Sequence, residues 1–260
     1  MNKTILVLST MLLFPLGGFA QTTQEKGLEL VMEADKRDNG WGDVKTEAVM
    51  TLRNAHGESS IRKNRSKILE VKGDGDKSLI IFDTPTDIKG TAFLSHTHAL
   101  KSDDQWLFLP SLKRVKRVSS SNKSGPFLGS EFAYEDLSSQ EVEKYSYNYI
   151  KDEAVDGRDA FVIERVPQYK KSGYKRQMVW MDKEYYQPLK IEFFDRKNAA
   201  LKTLTFHEYK QYLNQYWRPG RMEMKNHQTK KSTTLTWEKY EFRTGLKKRD
   251  FDKNSLKRAR

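Results

Sequence analysis

Cysteine is absent from all 260 residues. That excludes disulfides, cysteine-ligated zinc, thiolate nucleophiles and amino-terminal lipidation of the chain itself. The G-x-x-x-x-G-K-[ST] phosphate loop, the H-E-x-x-H pair and the G-x-S-x-G elbow are missing too. No enzyme class is supported by these motifs, so we read the chain as a non-enzyme with no cofactor. Beyond residue 20 no apolar run is long enough to span a bilayer. Charged residues reach 32% and hydrophobic ones only 37%, which excludes a polytopic membrane protein. Acid is the scarcer charge. Lys+Arg number 47 against 35 Asp+Glu, a formal net charge of +12. Aromatics at 12% argue against a disordered chain.

The first 20 residues, MNKTILVLSTMLLFPLGGFA, carry Lys3, an apolar stretch Ile5–Leu16, and small residues Gly18 and Ala20. This is the tripartite pattern of a secretory signal cut after Ala20. The apolar stretch is shorter than the ~20 residues of a spanning helix. The mature chain is therefore expected to be exported to a bacterial periplasm, as one domain over 21–260 that does not span the membrane. Export removes nucleic acid as a partner for the positive charge.

Residues 21–38 predict a helix, with Leu28, Val31, Met32 and Asp35 on one face, ended by Asn39-Gly40. Strand patterns then follow at short, regular intervals. The turns between them include Gly73-Asp74-Gly75-Asp76, Asp156-Gly157, Ser172-Gly173 and Pro219-Gly220. About twelve strands result, as expected for an antiparallel sandwich or barrel, or one strongly bent sheet with a few helices. A short helix at 130–138 and a final one near Phe251–Arg260 are the further helical candidates.

Large apolar side chains recur two apart on many strands: Trp106 and Phe108, Met178 and Trp180, Ile191 and Phe193, Met222 and Met224, Leu235 and Trp237, with Phe206 on another. They form either a closed core or the lining of a hydrophobic cavity for acyl chains. Phe127, Leu128, Phe132, Tyr134 and Leu137 follow a Ser/Gly-rich loop and are the residues of a candidate lid. The basic run Lys113, Arg114, Lys116 and Arg117 either binds a partner or an anionic head group, or guards an exposed strand edge. His96 and His98 share a strand face, but two histidines without a firm third ligand are a weak metal signal, and no metal site is assigned.

The stretch QWLFLPSLKRVKRVSSSNKSGPFLGSEFAYEDL (105–137) resembles periplasmic outer-membrane lipoprotein-sorting proteins of the LolA/LolB-like superfamily. DKRDNG (35–40), KSLIIFDTPTDIKGTAFLSHT (77–97) and the closing 251–258 agree with it. The resemblance implies a mainly β fold: a single unclosed antiparallel β-barrel of about eleven strands, covered by α-helices and enclosing an apolar cavity. It also implies a carrier, or chaperone, that shields acyl chains of a lipid or lipoprotein on the way to the outer membrane. Members of this branch resemble accessories of lipid-exporting inner-membrane transporters of the resistance–nodulation–division type, which hand cargo to an outer-membrane acceptor. A non-carrier adaptor that binds a transporter through the basic run is the alternative.

Overall fold

The computed structural model describes residues 21–119 and 121–258. The expected signal segment lies outside them. The chain begins with helix α1 (Thr23–Asp38). Thr22 caps it reciprocally: its hydroxyl accepts from the Glu25 N–H at 3.1 Å, and the Glu25 carboxylate accepts from the Thr22 N–H at 2.9 Å. Lys36 and Arg37 in the last turn complement the helix dipole.

The strands follow in order: β1 (Asp43–Arg53), β2 (Ser59–Leu69), β3 (Lys77–Thr84), β4 (Ala92–His96), β5 (Asp104–Leu109), β6 (Arg114–Arg117), β7 (Tyr145–Val155), β8 (Arg158–Pro167), β9 (Tyr174–Asp182), β10 (Pro188–Asp195), β11 (Ala200–His207), β12 (Lys210–Tyr212), β13 (Tyr216–Arg218), β14 (Arg221–Asn226) and β15 (Ser232–Phe242). Thirteen of them form one sheet, ordered β6-β5-β4-β3-β2-β1-β15-β14-β11-β10-β9-β8-β7, and β12 and β13 make a separate hairpin. Every ladder is antiparallel. The two edges, β6 and β7, do not pair with each other, so the barrel is open. The sheet exceeds the expected eleven strands by two.

The registers decide which residues face inward. Met50 lies opposite Leu235 and Arg62, Asn64 opposite Phe82, and Ile191 opposite Leu204 and Val179. Met50, Phe82, Phe93, Ile191, Leu204 and Leu235 meet in one buried cluster although their strands are far apart in the sheet, so the sheet curls round this face. The other face is covered locally. Phe251 and Leu256, from two 3-10 turns at Lys248–Phe251 and Lys253–Arg258, pack on Leu79, Ile81, Leu94 and Phe108. Each fully buried Phe or Leu contributes roughly 1.5–3 kcal/mol.

Helix α1 lies on β7. Gly27 makes this close approach possible, since a Cβ there would sit 2.8 Å from the Tyr149 backbone nitrogen. The helix consequently turns Leu30, Val31 and Ala34 toward the tyrosines of β7 and leaves Leu28 and Met32 exposed, at 42% and 56%. The face expected from Leu28 and Met32 is thus rotated, because contact runs along the glycine rather than along the bulkiest residues.

Candidate functional site: a cavity beside an internal plug

The segment after the Ser/Gly loop enters the concave face as two 3-10 turns, Phe127–Gly129 and Tyr134–Leu137. Phe127 is fully buried and meets Phe93, Tyr134 and Phe82 at ring separations of 5.2, 5.4 and 5.9 Å. Phe132 is equally buried, and Leu128, Tyr134 and Leu137 pack on the same cluster.

Polar bonds pin this segment. Lys202 of β11 donates to Asp136 at 2.7 Å and to the Glu131 carbonyl at 2.9 Å. Both partners of the ion pair are almost wholly buried. The Tyr174 hydroxyl donates to the other Asp136 oxygen at 2.8 Å. Glu135 accepts from the hydroxyls of Tyr169 and Ser172, both at 2.9 Å, and from the Gly173 N–H at 2.8 Å. Burial raises the Glu135 carboxyl above its usual range despite these donors. The five residues expected as a lid are therefore brought together, but as a stapled plug inside the sheet.

Beyond the plug the concave face stays open. A cavity of about 990 Å³ lies between α1, the plug and strands β7–β11 and β14. Val31 and Ala34 border it from α1, and Phe132 and Leu137 from the plug. Its sheet wall includes Ile163, Val179, Ile191, Phe193, Leu204 and Met222. Tyr145, Tyr147, Tyr169 and Tyr174 add ring surface; the Tyr145 and Tyr147 hydroxyls are spent on Gln140 and the Val142 carbonyl. The volume lies at the upper end of the range for ligand sites.

Carboxylates edge this cavity, although the chain as a whole is basic. Asp35 and Asp38 come from the end of α1, Glu70, Asp74 and Asp76 from the β2–β3 turn, and Glu141 and Glu143 from before β7. Burial, reinforced by Glu141, Glu70 and Asp38, pushes Asp76 up to about 7. Burial also raises Asp38, against the pull of Arg218. Asp74 is held at about 2, chiefly by its hydrogen bond from His98 at 2.8 Å.

Of the residues expected to line a cavity, Ile191, Phe193, Phe206 and Met222 do so. Met224, Leu235 and Trp237 share that face and pack in its core cluster. Trp106, Phe108, Met178 and Trp180 instead lie on the opposite face and do not line the cavity. Trp106 and Phe108 pack with the carboxy-terminal turns, and Met178 and Trp180 with Val162 and Leu189. Their inward-facing neighbours are Gln105, Leu107, Gln177 and Val179. Sequence reasoning missed Tyr145, Tyr147, Arg165 and Gln177, although alternation along β7 could have flagged the tyrosines.

Arg114, Lys116 and Arg117 form the exposed edge strand β6, with Arg117 paired to Asp104, and Lys113 precedes it in a left-handed turn (φ 48°). Charge on a sheet edge discourages strand addition. His96 Nε2 bonds the Phe251 carbonyl at 2.8 Å while His98 meets Asp74, so the two rings serve different contacts. No group of three or more metal-ligating side chains occurs among the described residues.

A solved structure from Vibrio parahaemolyticus, described as an outer membrane lipoprotein-sorting protein domain, is 60% identical. The match covers 90% of this chain and 99% of that one, with a TM-score of 0.89. The chain belongs to the outer-membrane lipoprotein-sorting protein family. A family model whose description reads "-like: Uncharacterized protein" matches residues 74–258 of this family member. A DUF1329 family protein from Desulfovibrio piger is 27% identical over 91% of this chain and 100% of its own, at a TM-score of 0.86. A LolA superfamily protein from Nitrosomonas europaea is 21% identical over 90% and 99%, at a TM-score of 0.69, and shares the LolA-like fold. No curated protein matches the chain. No described helix is long and apolar enough to cross a membrane.

Proposed function

We propose that this lipoprotein-sorting family member is a periplasmic carrier that holds acyl chains of a lipid or lipoprotein in the cavity between α1 and β7–β11. The supporting observation is the cavity itself: about 990 Å³ walled by aliphatic and aromatic side chains, left open where the plug stops. Each methylene taken from water into it gains about 0.8 kcal/mol. The chain has no nucleotide loop to drive release, so transfer runs downhill from a donor that loads it to an acceptor that binds more tightly. An inner-membrane transporter of the resistance–nodulation–division type and an outer-membrane acceptor fill those roles, and the exposed basic residues Lys113, Arg114, Lys116 and Arg117 offer a docking edge for the former.

Native mass spectrometry of the protein, gently purified from its source, tests this reading. Co-purified lipid or acylated protein is the expected result, and its loss on narrowing the cavity with Met222→Trp places it there. A chain that emerges empty and takes up no acyl amphiphile in vitro overturns the carrier reading and leaves the adaptor.

A further inference from the structure

The inward-facing cations of this protein are treated unequally. Lys202 is paired with Asp136, the Arg62 guanidinium donates to the Leu128 carbonyl of the plug at 2.7 Å, and Lys123 and Lys144 both approach Asp103, at 3.6 and 2.6 Å. Arg165 is different. It stands on β8, opposite Tyr147 and Gln177, and borders the cavity. Its Nε donates to Gln177, and its guanidinium lies 5.0 Å from the Tyr145 ring centre. Among the described residues no carboxylate pairs with it and no acceptor meets its terminal nitrogens. The nearby plug carboxylates are committed: Glu135 to Tyr169, Ser172 and Gly173, and Asp136 to Tyr174 and Lys202.

A guanidinium held by Nε alone presents its terminal N–H groups as a fork that matches a phosphate or carboxylate bidentately. Such donors inside an apolar chamber favour a ligand oxyanion. The rim of the same cavity carries Asp35, Glu70, Glu141 and Glu143, with only Lys72 of opposite sign among the lining residues besides Arg165. A second negative charge on the ligand would meet that rim, whereas an amine would be attracted to it.

We infer that Arg165 binds the phosphate of a zwitterionic phospholipid whose acyl part fills the cavity and whose amine faces the acidic rim. This rests on the acyl-carrier reading and adds the head-group class to it.

The test uses the delipidated mature chain and four probes: lysophosphatidylethanolamine, lysophosphatidylglycerol and monoacylglycerol of one chain length, and inorganic phosphate. The amine-bearing lipid is expected to bind about tenfold more tightly than either other amphiphile. Arg165→Gln should erase its advantage over monoacylglycerol while leaving monoacylglycerol affinity within about twofold, and Arg165→Lys should restore part of it. Glu143→Gln combined with Asp35→Asn should narrow the gap between the two phospholipids. Equal binding of all three amphiphiles, or an Arg165→Gln protein that keeps its preference, overturns the inference and spares the carrier reading. Phosphate alone displacing the lipid at equal concentration overturns the lipid as source of the anion. Failure of every amphiphile to bind overturns both readings.

Discussion

Over β2–β5 the concave face of the sheet is met by the plug, with Phe127 locked among Phe82, Phe93 and Tyr134. Over β8–β11 the same face, built from the same kind of alternating strand, looks into open space beside α1. The difference lies in what the chain lays across the sheet. A strip of buried aromatics held by an ion pair fills one side, and on the other a helix seated on β7 through Gly27 leaves space over the neighbouring strands. One curved sheet thus provides both a stable core and a chamber, and substitutions on the two sides should behave differently.

The largest contrast is in packing. Phe127→Ala should destabilise the fold by about 3–5 kcal/mol in urea unfolding, because its surroundings are closed on every side. Phe206→Ala, on the half-buried cavity wall, should cost less than about 2 kcal/mol. Equal costs would mean that the two sides are packed alike. Next comes the staple. Lys202→Met leaves Asp136 buried without its cation and should cost about 3–5 kcal/mol. Adding Asp136→Leu should recover only part of this, since the Tyr174 hydroxyl and the Ala133 N–H then lose their acceptor. A harmless Lys202→Met would show that the plug is free to lift, as a lid would.

Strand positions were legible because apolar residues alternate along them. Facing was not. Period-two alternation distinguishes inside from outside only when one face is wet. Here both faces of β5 and β9 are covered, and the concave one carries the buried amides Gln105 and Gln177 while Trp106 and Trp180 go to the other side. On these two strands the tryptophans therefore point away from the concave face, and Leu107 and Val179 point toward it. The plug was visible as an apolar segment after a loop. Its fixity depends on Lys202, which is 66 residues from Asp136 in the chain and reads in isolation as one more surface lysine on a basic protein. The acidic rim was hidden for the same reason: its carboxylates come from three segments that only the fold brings together.

Filling the open side sharpens the comparison with a smaller change in stability. Met222→Trp should alter unfolding free energy by less than about 1.5 kcal/mol, since the new ring enters existing space. It should nevertheless weaken acyl-probe binding by at least about tenfold in a fluorescence titration. A large stability loss with binding intact would place the ligand elsewhere.

A pH-dependent effect belongs to the rim, where the open side holds a carboxylate against its neighbours. Asp76 titrates at about 7 in the folded chain, raised by burial and by Glu141, Glu70 and Asp38, against about 3.9 when unfolded. Between those values the native state binds a proton that the unfolded state does not. Stability must therefore fall as pH rises from about 4 to 7 and level off above. Asp76→Asn keeps an oxygen for the Val71 N–H, which bonds Asp76 at 3.1 Å, and removes the charge. At pH 8 the variant should be more stable than the parent by about 2 kcal/mol, allowing for solvent at a half-buried group, and the gap should shrink as pH is lowered to about 5. Comparing variant with parent cancels the histidines that titrate in the same window. Parallel urea-unfolding profiles for the two proteins across that range would mean that the rim carries no such tension, and the two sides of the sheet would then differ in packing alone.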